Sequence, residues 1–225
     1  MRALFVLAVL SIIAGCAEQP VVTSDGLVSR HSGKFDELYV RPNADLSAYR
    51  RAVIEPVRVW FADDYLTRRH GLNHLLAQPL HKPYQDPEST AEDLSGLMQA
   101  SLIDAFRAAN YEIVDERGPG VLRISARVDE LYINAPDQMS SSVRATLNRD
   151  TGQGTFTLEA ADPVTGNVLA RVVHRKIVRE ATRANLASDT TNRFWLETAF
   201  RRWAKDVTTE FGATQRTQMS QDGQR

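Results

Sequence analysis

The chain holds a single cysteine, Cys16, in 225 residues. One thiol cannot close an internal disulfide, and a cysteine-rich metal site cannot be built from it. Neither sign of charge is in excess. Lys and Arg number 27 against 28 Asp and Glu, for a formal net charge of −1. That balance excludes the broadly cationic surface of a general nucleic-acid binder. Beyond the first few residues no apolar stretch is long enough to cross a bilayer. Catalytic signatures are missing too. No serine stands in a Gly-x-Ser-x-Gly elbow, and Ser140, Ser141 and Ser142 form a polar loop run. No lysine or helix start follows Gly118-Pro119-Gly120, so this is not a phosphate loop.

What is present begins at the N-terminus. Arg2 supplies a positive start, Ala3 to Ile13 is an apolar core broken only by Ser11, and Ala14-Gly15 are small residues suited to a peptidase. This reads as a secretory leader over residues 1–15, to be set aside in fold reasoning. Ile13-Ala14-Gly15-Cys16 resembles the bacterial lipobox. The resemblance implies a diacylglycerol on the Cys16 sulfur, cleavage before Cys16, and an N-acyl chain. No other cofactor is implied. Each buried methylene contributes about 0.8 kcal/mol, so several chains anchor permanently where one binds reversibly. Ala17, rather than an aspartate, follows Cys16, and by resemblance to Gram-negative sorting this implies the outer membrane, facing the periplasm.

Residues 16–33 are polar, aperiodic and broken by Pro20, Gly26 and Gly33. They read as a flexible tether with a span of roughly 20–25 Å. One domain is expected over 34–212. Within it, Arg51 to Phe61 is a strand, with Val53, Val57, Val59 and Phe61 on one face and Ile54 and Trp60 on the other; Pro56 marks a bulge or an edge. Residues 62–88 form a long loop insertion with Pro79, Pro83 and Pro87 and a short helical piece near Tyr65–Leu76. Ser89-Thr90 caps a helix whose apolar stripe is Leu94, Leu97, Met98, Leu102, Ala105, Phe106 and Ala109, with Asn110 ending it. Ile113-Val114 is a short strand. Val121 to Ile133 alternates, with Leu122, Ile124, Ala126 and Val128 inward. Gly154 to Ala161 and Val168 to Arg179 are joined by a turn at Asp162-Pro163-Val164-Thr165-Gly166. Asp189 opens a last helix with Phe194, Leu196, Ala199, Phe200, Trp203, Val207 and Phe211 on its stripe. Gly212 is expected to stop it, leaving 213–225 as a disordered tail. Consecutive strands argue for an α+β fold, with an antiparallel sheet of four to five strands and two helices packed on one face.

Four stretches resemble the bacterial lipoproteins grouped as domain of unknown function 3313. They are Tyr39-Val40-Arg41-Pro42-Asn43-Ala44-Asp45-Leu46-Ser47, Val53-Ile54-Glu55-Pro56-Val57-Arg58-Val59-Trp60, Gly118-Pro119-Gly120-Val121-Leu122-Arg123 and Thr165-Gly166-Asn167-Val168-Leu169-Ala170. The resemblance runs from about Phe35 to Phe211 and implies a periplasm-facing lipoprotein without catalytic residues to carry over. It also implies a carboxylate after the strand that follows Gly166. Here that place is near His174, so no essential charge is carried over to it.

Candidate chemistry is thin. His70 and His74 stand four apart, as metal ligands on a helix would, and His81 could complete a trio. But Gly71-Leu72-Asn73 replaces the metalloprotease glutamate and weakens the helix. Asp129, Glu130, Glu159 and Asp162 could pair as acid and base for glycan cleavage, although scattered surface carboxylates are the norm. Arg171, His174, Arg175, Lys176, Arg179 and Arg183 make a basic strand and exit. Of these, Arg171, Arg175 and Arg179 could contact an anion or a partner, or form a solvated face neutralised by Asp129, Glu130 and Glu159. The expectation is a non-catalytic binding or envelope-assembly module, held to the membrane and meeting another envelope protein or peptidoglycan, with no nucleic acid. The alternative is an envelope hydrolase using carboxylates or the His70–His81 region.

Overall fold

The computed structural model of the chain describes residues 20–63, 87–133, 147–148, 152–177, 185–186 and 189–222. The leader, Cys16, His70, His74, His81, Arg179 and Arg183 lie outside the described residues, as does nearly all of the 62–88 insertion. In order, the elements are β1 (Val28–Arg30), β2 (Glu37–Val40), a 3₁₀ turn (Leu46–Ala48), β3 (Arg51–Ile54), β4 (Arg58–Phe61), α1 (Pro87–Ala108), β5 (Glu112–Ile113), β6 (Val121–Ile133), β7 (Leu147–Asn148), β8 (Gly152–Ala161), β9 (Val168–Ile177), β10 (Asn185–Leu186) and α2 (Asp189–Asp222).

The sheet corrects the expected four to five antiparallel strands. Among the described residues it has eight, in the order β1-β2-β9-β8-β6-β3-β5 with β4 also beside β6; β7 and β10 pair separately. It is mixed. β3 and β4 run parallel to β6, and β5 parallel to β3. Helix α1 lies between β4 and β6 in the chain, and a crossover of that kind brings the next strand back in the same direction. Of the extra strands at the other edge, β1 comes from the expected tether and β2 from the start of the expected domain. Val28, Ser29 and Arg30 pair with Val40, Tyr39 and Leu38, and β2 pairs in turn with β9.

Strand parity decides which residues reach the core. Leu122, Ile124, Ala126 and Val128 of β6 are buried inward, as their alternation requires. Continued without a break, that alternation would turn Glu130 and Tyr132 inward. Instead Glu130 adopts a left-handed backbone, φ 54°. The pairing with both β4 and β8 shifts by one residue there. This bulge returns Leu131 and Ile133 to the core at 0% and 8% exposure. A second shift lies at Pro56. Three residues, Glu55 to Val57, oppose two on β6 between the Ile54–Ile124 and Arg58–Arg127 pairs. Ala52 and Ile54 therefore face the core together with Val57 and Val59, while Val53 and Trp60 face the other way. This corrects the expected faces of Val53 and Ile54. The expectation had carried one alternation through the proline.

Both helices supply the inner side of the core. Leu94, Met98, Leu102 and Phe106 of α1 and Leu196, Ala199, Phe200, Trp203, Val207 and Phe211 of α2 are buried in one cluster with the inward residues of the sheet. Trp203 lies at its centre. It stacks on Phe156 of β8 at 5.5 Å, meets Phe200 at 5.6 Å, and sits edge-on to His174 of β9 at 5.7 Å. Helix α1 starts at Pro87, two residues before the expected cap, where proline's fixed φ suits the first turn. Asn110, at φ 65°, ends it. Helix α2 does not stop at Gly212. It continues to Asp222, so ten residues of the expected tail are helical in backbone. A glycine inside a helix costs about 1 kcal/mol relative to alanine and need not end it.

The β8–β9 turn forms as expected. Gly166 takes φ 75° and its N–H donates to the carbonyl of Asp162. The Asp162 carboxylate accepts from the N–H groups of Val164 and Thr165 and, at 2.6 Å, from the Tyr49 hydroxyl. The Tyr49 bond, then the Thr165 N–H, hold the Asp162 carboxyl below its ordinary value of 3.8. Burial first, then the bond to Asp162, push the Tyr49 hydroxyl up to about 12.

Two outcomes follow from these arrangements. Inserting an alanine after Glu130, past the bulge, should turn Leu131 and Ile133 outward and lower stability by about 3–6 kcal/mol in urea unfolding. Deleting Glu130 leaves an unbroken alternation with both still inward, and Glu130→Gly should stay within about 1 kcal/mol. Asp162→Ala should cost about 1–3 kcal/mol. The Asp162 carboxyl is depressed in the fold, so its contribution is complete above pH 3.8 and is lost as the pH falls through the lower folded value. The Tyr49 contribution is complete below 10.0 and is lost as the pH rises towards 12. A pH series of melting temperatures for the parent, Asp162→Ala and Tyr49→Phe reads both edges.

Candidate functional site

The face of the sheet turned away from the helices carries the polar chemistry. Register places its side chains in rows. One row runs Ser125, Glu159, Arg171 and Tyr39 across β6, β8, β9 and β2. The next runs Arg58, Arg127, Thr157, Val173 and Glu37, beginning on β4. A third holds Asp129, Thr155 and Arg175.

Most of these charges are paired. Arg171 donates to Glu159 and to Asp25 at 2.7 Å each. Burial lowers the Arg171 pKa, but the bonds to Glu159 and Asp25 hold it above its ordinary value. Arg175 pairs with Glu37; that bond raises the arginine and lowers the carboxyl. Arg127 donates from Nε to Asp129 at 2.8 Å, and Arg117 pairs with Glu55. Arg171 and Arg175, named from the sequence as possible contacts, thus sit in internal ion pairs. His174, between them in the chain, points the other way into the core at 3% exposure, with Nδ1 3.4 Å from an Asp36 oxygen. The basic segment is split by strand alternation and presents no continuous ribbon.

Arg58 differs from its neighbours. It is exposed, and among the described residues its side chain makes no hydrogen bond or ion pair. It is paired in register with Arg127, a like charge placed directly alongside. Two residues further along β4, on the same face, Trp60 leaves 46% of its surface exposed. A cleft of about 410 Å³ lies here, bounded by Glu55, Arg58, Trp60, Arg117, Arg127 and Glu159. Trp60 also borders a second, wider cleft of about 790 Å³ with Asp63, Asp129, Thr155 and Arg175. Sequence reasoning passed over Arg58 because its significance depends on parallel pairing with β6, which no local pattern announces. The only signal was Arg58 and Trp60 sharing parity on one strand.

Of the carboxylates proposed for acid–base work, Asp129 and Glu130 both border the wider cleft, while Glu159 and Asp162 lie elsewhere. Asp129 pairs with Thr155 and Glu159 with Ser125, four residues apart along the strands. That is about 13 Å, against the roughly 5–10 Å that glycosidase carboxylates need. Asp162 is held in the hairpin turn by Tyr49 and the turn N–H groups. Among the described residues, no three His, Cys, Asp or Glu side chains are grouped to hold a metal ion, and no helix is long and apolar enough to cross a membrane.

Distant structural likenesses accompany this geometry. A putative neuraminyllactose-binding hemagglutinin homolog from Helicobacter pylori is 11% identical, with TM-score 0.43, covering 80% of this chain and 92% of that one. A PelC dodecamer from Paraburkholderia phytofirmans is 10% identical, with TM-score 0.35 and coverage of 75% and 96%. A Xanthomonas campestris protein of family DUF330 is 14% identical, with TM-score 0.33 and coverage of 83% and 96%. Comparison with curated proteins gives no match. The model of a family described as protein of unknown function, DUF3313, matches residues 18–207, in agreement with the resemblance carried by the Tyr39–Ser47 and Val53–Trp60 stretches. The chain belongs to the DUF3313 family.

Proposed function

We propose that the protein is a non-catalytic binding module, anchored through acylated Cys16 to the outer membrane and facing the periplasm, that offers the open face of its sheet to a component of the envelope. The observation that carries this reading is the division of the sheet into two unlike faces. One is sealed by both helices around Trp203, and the other is uncovered by any described helix and carries a row-by-row array of charges beside exposed Trp60. Apolar surface that one element leaves bare marks interaction sites, and an aromatic ring among arginines is a common composition of such sites. The partner is another envelope protein or peptidoglycan. The anchor follows from the lipobox pattern at Cys16.

Two experiments test the reading. Cys16→Ser should move the protein from the outer-membrane fraction to the soluble periplasm; retention in the membrane would overturn the anchor. A photoreactive residue at Gln153, exposed on the open face, should give a crosslinked adduct in intact cells, while one at Arg202, exposed on α2, should not. Adducts confined to the Arg202 position would overturn the choice of face.

A further inference from the structure

We infer that Arg58, Arg127 and Trp60 form a binding site for a saccharide that carries one carboxylate. The inference rests on the open sheet face being the binding surface and names what one part of it takes. The first observation is the paired arginines. Adjacent strands lie about 4.8 Å apart, so Arg58 and Arg127, in register across β4 and β6, leave the sheet side by side and border one cleft. Without an anion between them they repel. Arg127 spends its Nε on Asp129 and keeps its terminal amino groups free among the described residues. Arg58 spends nothing. Two such donors facing one gap suit a planar oxyanion, which accepts parallel N–H bonds from guanidinium.

The second observation is the ring. Trp60 is two residues from Arg58 on the same side of β4, about 7 Å along the strand. That is about the width of a hexose ring plus its acidic substituent. A half-exposed indole offers an apolar plane that fits the apolar face of a sugar, and it lies at the margin of the cleft rather than within the core. The third is the rest of the lining. Ser125, Thr157, Glu55 and Glu159 border the same cleft, and their oxygens suit sugar hydroxyls.

Charge decides the kind of acid. Arg117 is matched by Glu55, Arg127 by Asp129, and Glu159 by Arg171. Among the described residues, Arg58 is the one cation of the cleft left over. A monoanionic carboxylate balances it. A dianionic phosphate would bring a surplus negative charge beside Glu55 and Glu159, which disfavours it. The same argument disfavours an acidic peptide with several carboxylates.

The test uses the detergent-solubilised full chain and three probes of related shape: N-acetylmuramic acid, N-acetylglucosamine and N-acetylglucosamine 6-phosphate. Binding is read from the indole N–H resonance of Trp60, assigned by its loss in Trp60→Ala. N-acetylmuramic acid should shift this resonance and bind about tenfold more tightly than the neutral sugar, the scale of one charge-assisted hydrogen-bonded contact. Arg58→Ala should abolish that preference without lowering the melting temperature, since among the described residues the Arg58 side chain has no partner and its neighbour in register is a like charge. Equal affinity for all three sugars, tighter binding of the phosphate, or a preference that survives Arg58→Ala would overturn the inference. If no sugar moves Trp60 while the Gln153 adduct still forms, the carboxylated saccharide is wrong and the binding face stands. If both fail, the face itself is wrong.

Discussion

A residue on a strand can face only one of two ways, and in this protein that choice is enforced along β6. The strand is flanked by β8 on one side and by β3 and β4 on the other, so it is held in register from both sides. Its apolar positions change parity between Val128 and Leu131. The left-handed residue Glu130 absorbs that change, and both neighbours shift with it. A backbone in this region costs a non-glycine residue of order 1 kcal/mol or more, which two buried aliphatic side chains more than offset. The shift at Pro56 does the same for β3 and β4. Proline cannot donate to the ladder, so a bulge is where a strand tolerates it.

The two faces that result are held by different forces. On the helix side, burial of Trp203, Phe156, Phe200, Phe106 and Phe211 supplies the stability. On the open side, the ion pairs are partly exposed, and each is worth about 0–1 kcal/mol. Their effect is to fix where charge is and to leave Arg58 as the exception. The surface is therefore specific without being what keeps the chain folded, and changes there can alter recognition while the core remains intact.

The legible parts of the fold were those set by local periodicity. The stripe Leu94–Met98–Leu102–Phe106, the alternation Leu122 to Val128, the Asp162–Gly166 turn and the aromatic stripe of α2 could all be read from neighbours a few positions apart. Parallel pairing could not, because it depends on which strand α1 carries the chain back to. Nor could β1, whose three residues have no strong pattern and are ordered by β2. The parity change at Glu130 was present in the letters as Val128-Asp129-Glu130-Leu131, with two polar residues where alternation allows one, but it is recognised only once both neighbours are known. The open face was half legible. Glu159 is expected as a neutraliser of the basic strand and does bind Arg171, whereas the Arg58–Arg127 pairing is visible only in the register.

The placement of β2 has a consequence for assembly. Leu38 and Val40 complete their ladder only against Val172 and Ala170 of β9, a strand near the other end of the chain. A ribosome delivers the N-terminal residues first, and closing so long a loop is slow. The β8–β9 hairpin, joined by its tight turn, is the natural early template, and β1 and β2 can only be laid onto its edge afterwards. The first part of the chain to be made is therefore among the last to find its place. Until β9 exists, β2 has only β1 beside it and its other edge stands unpaired, open to any helper that protects nascent strands.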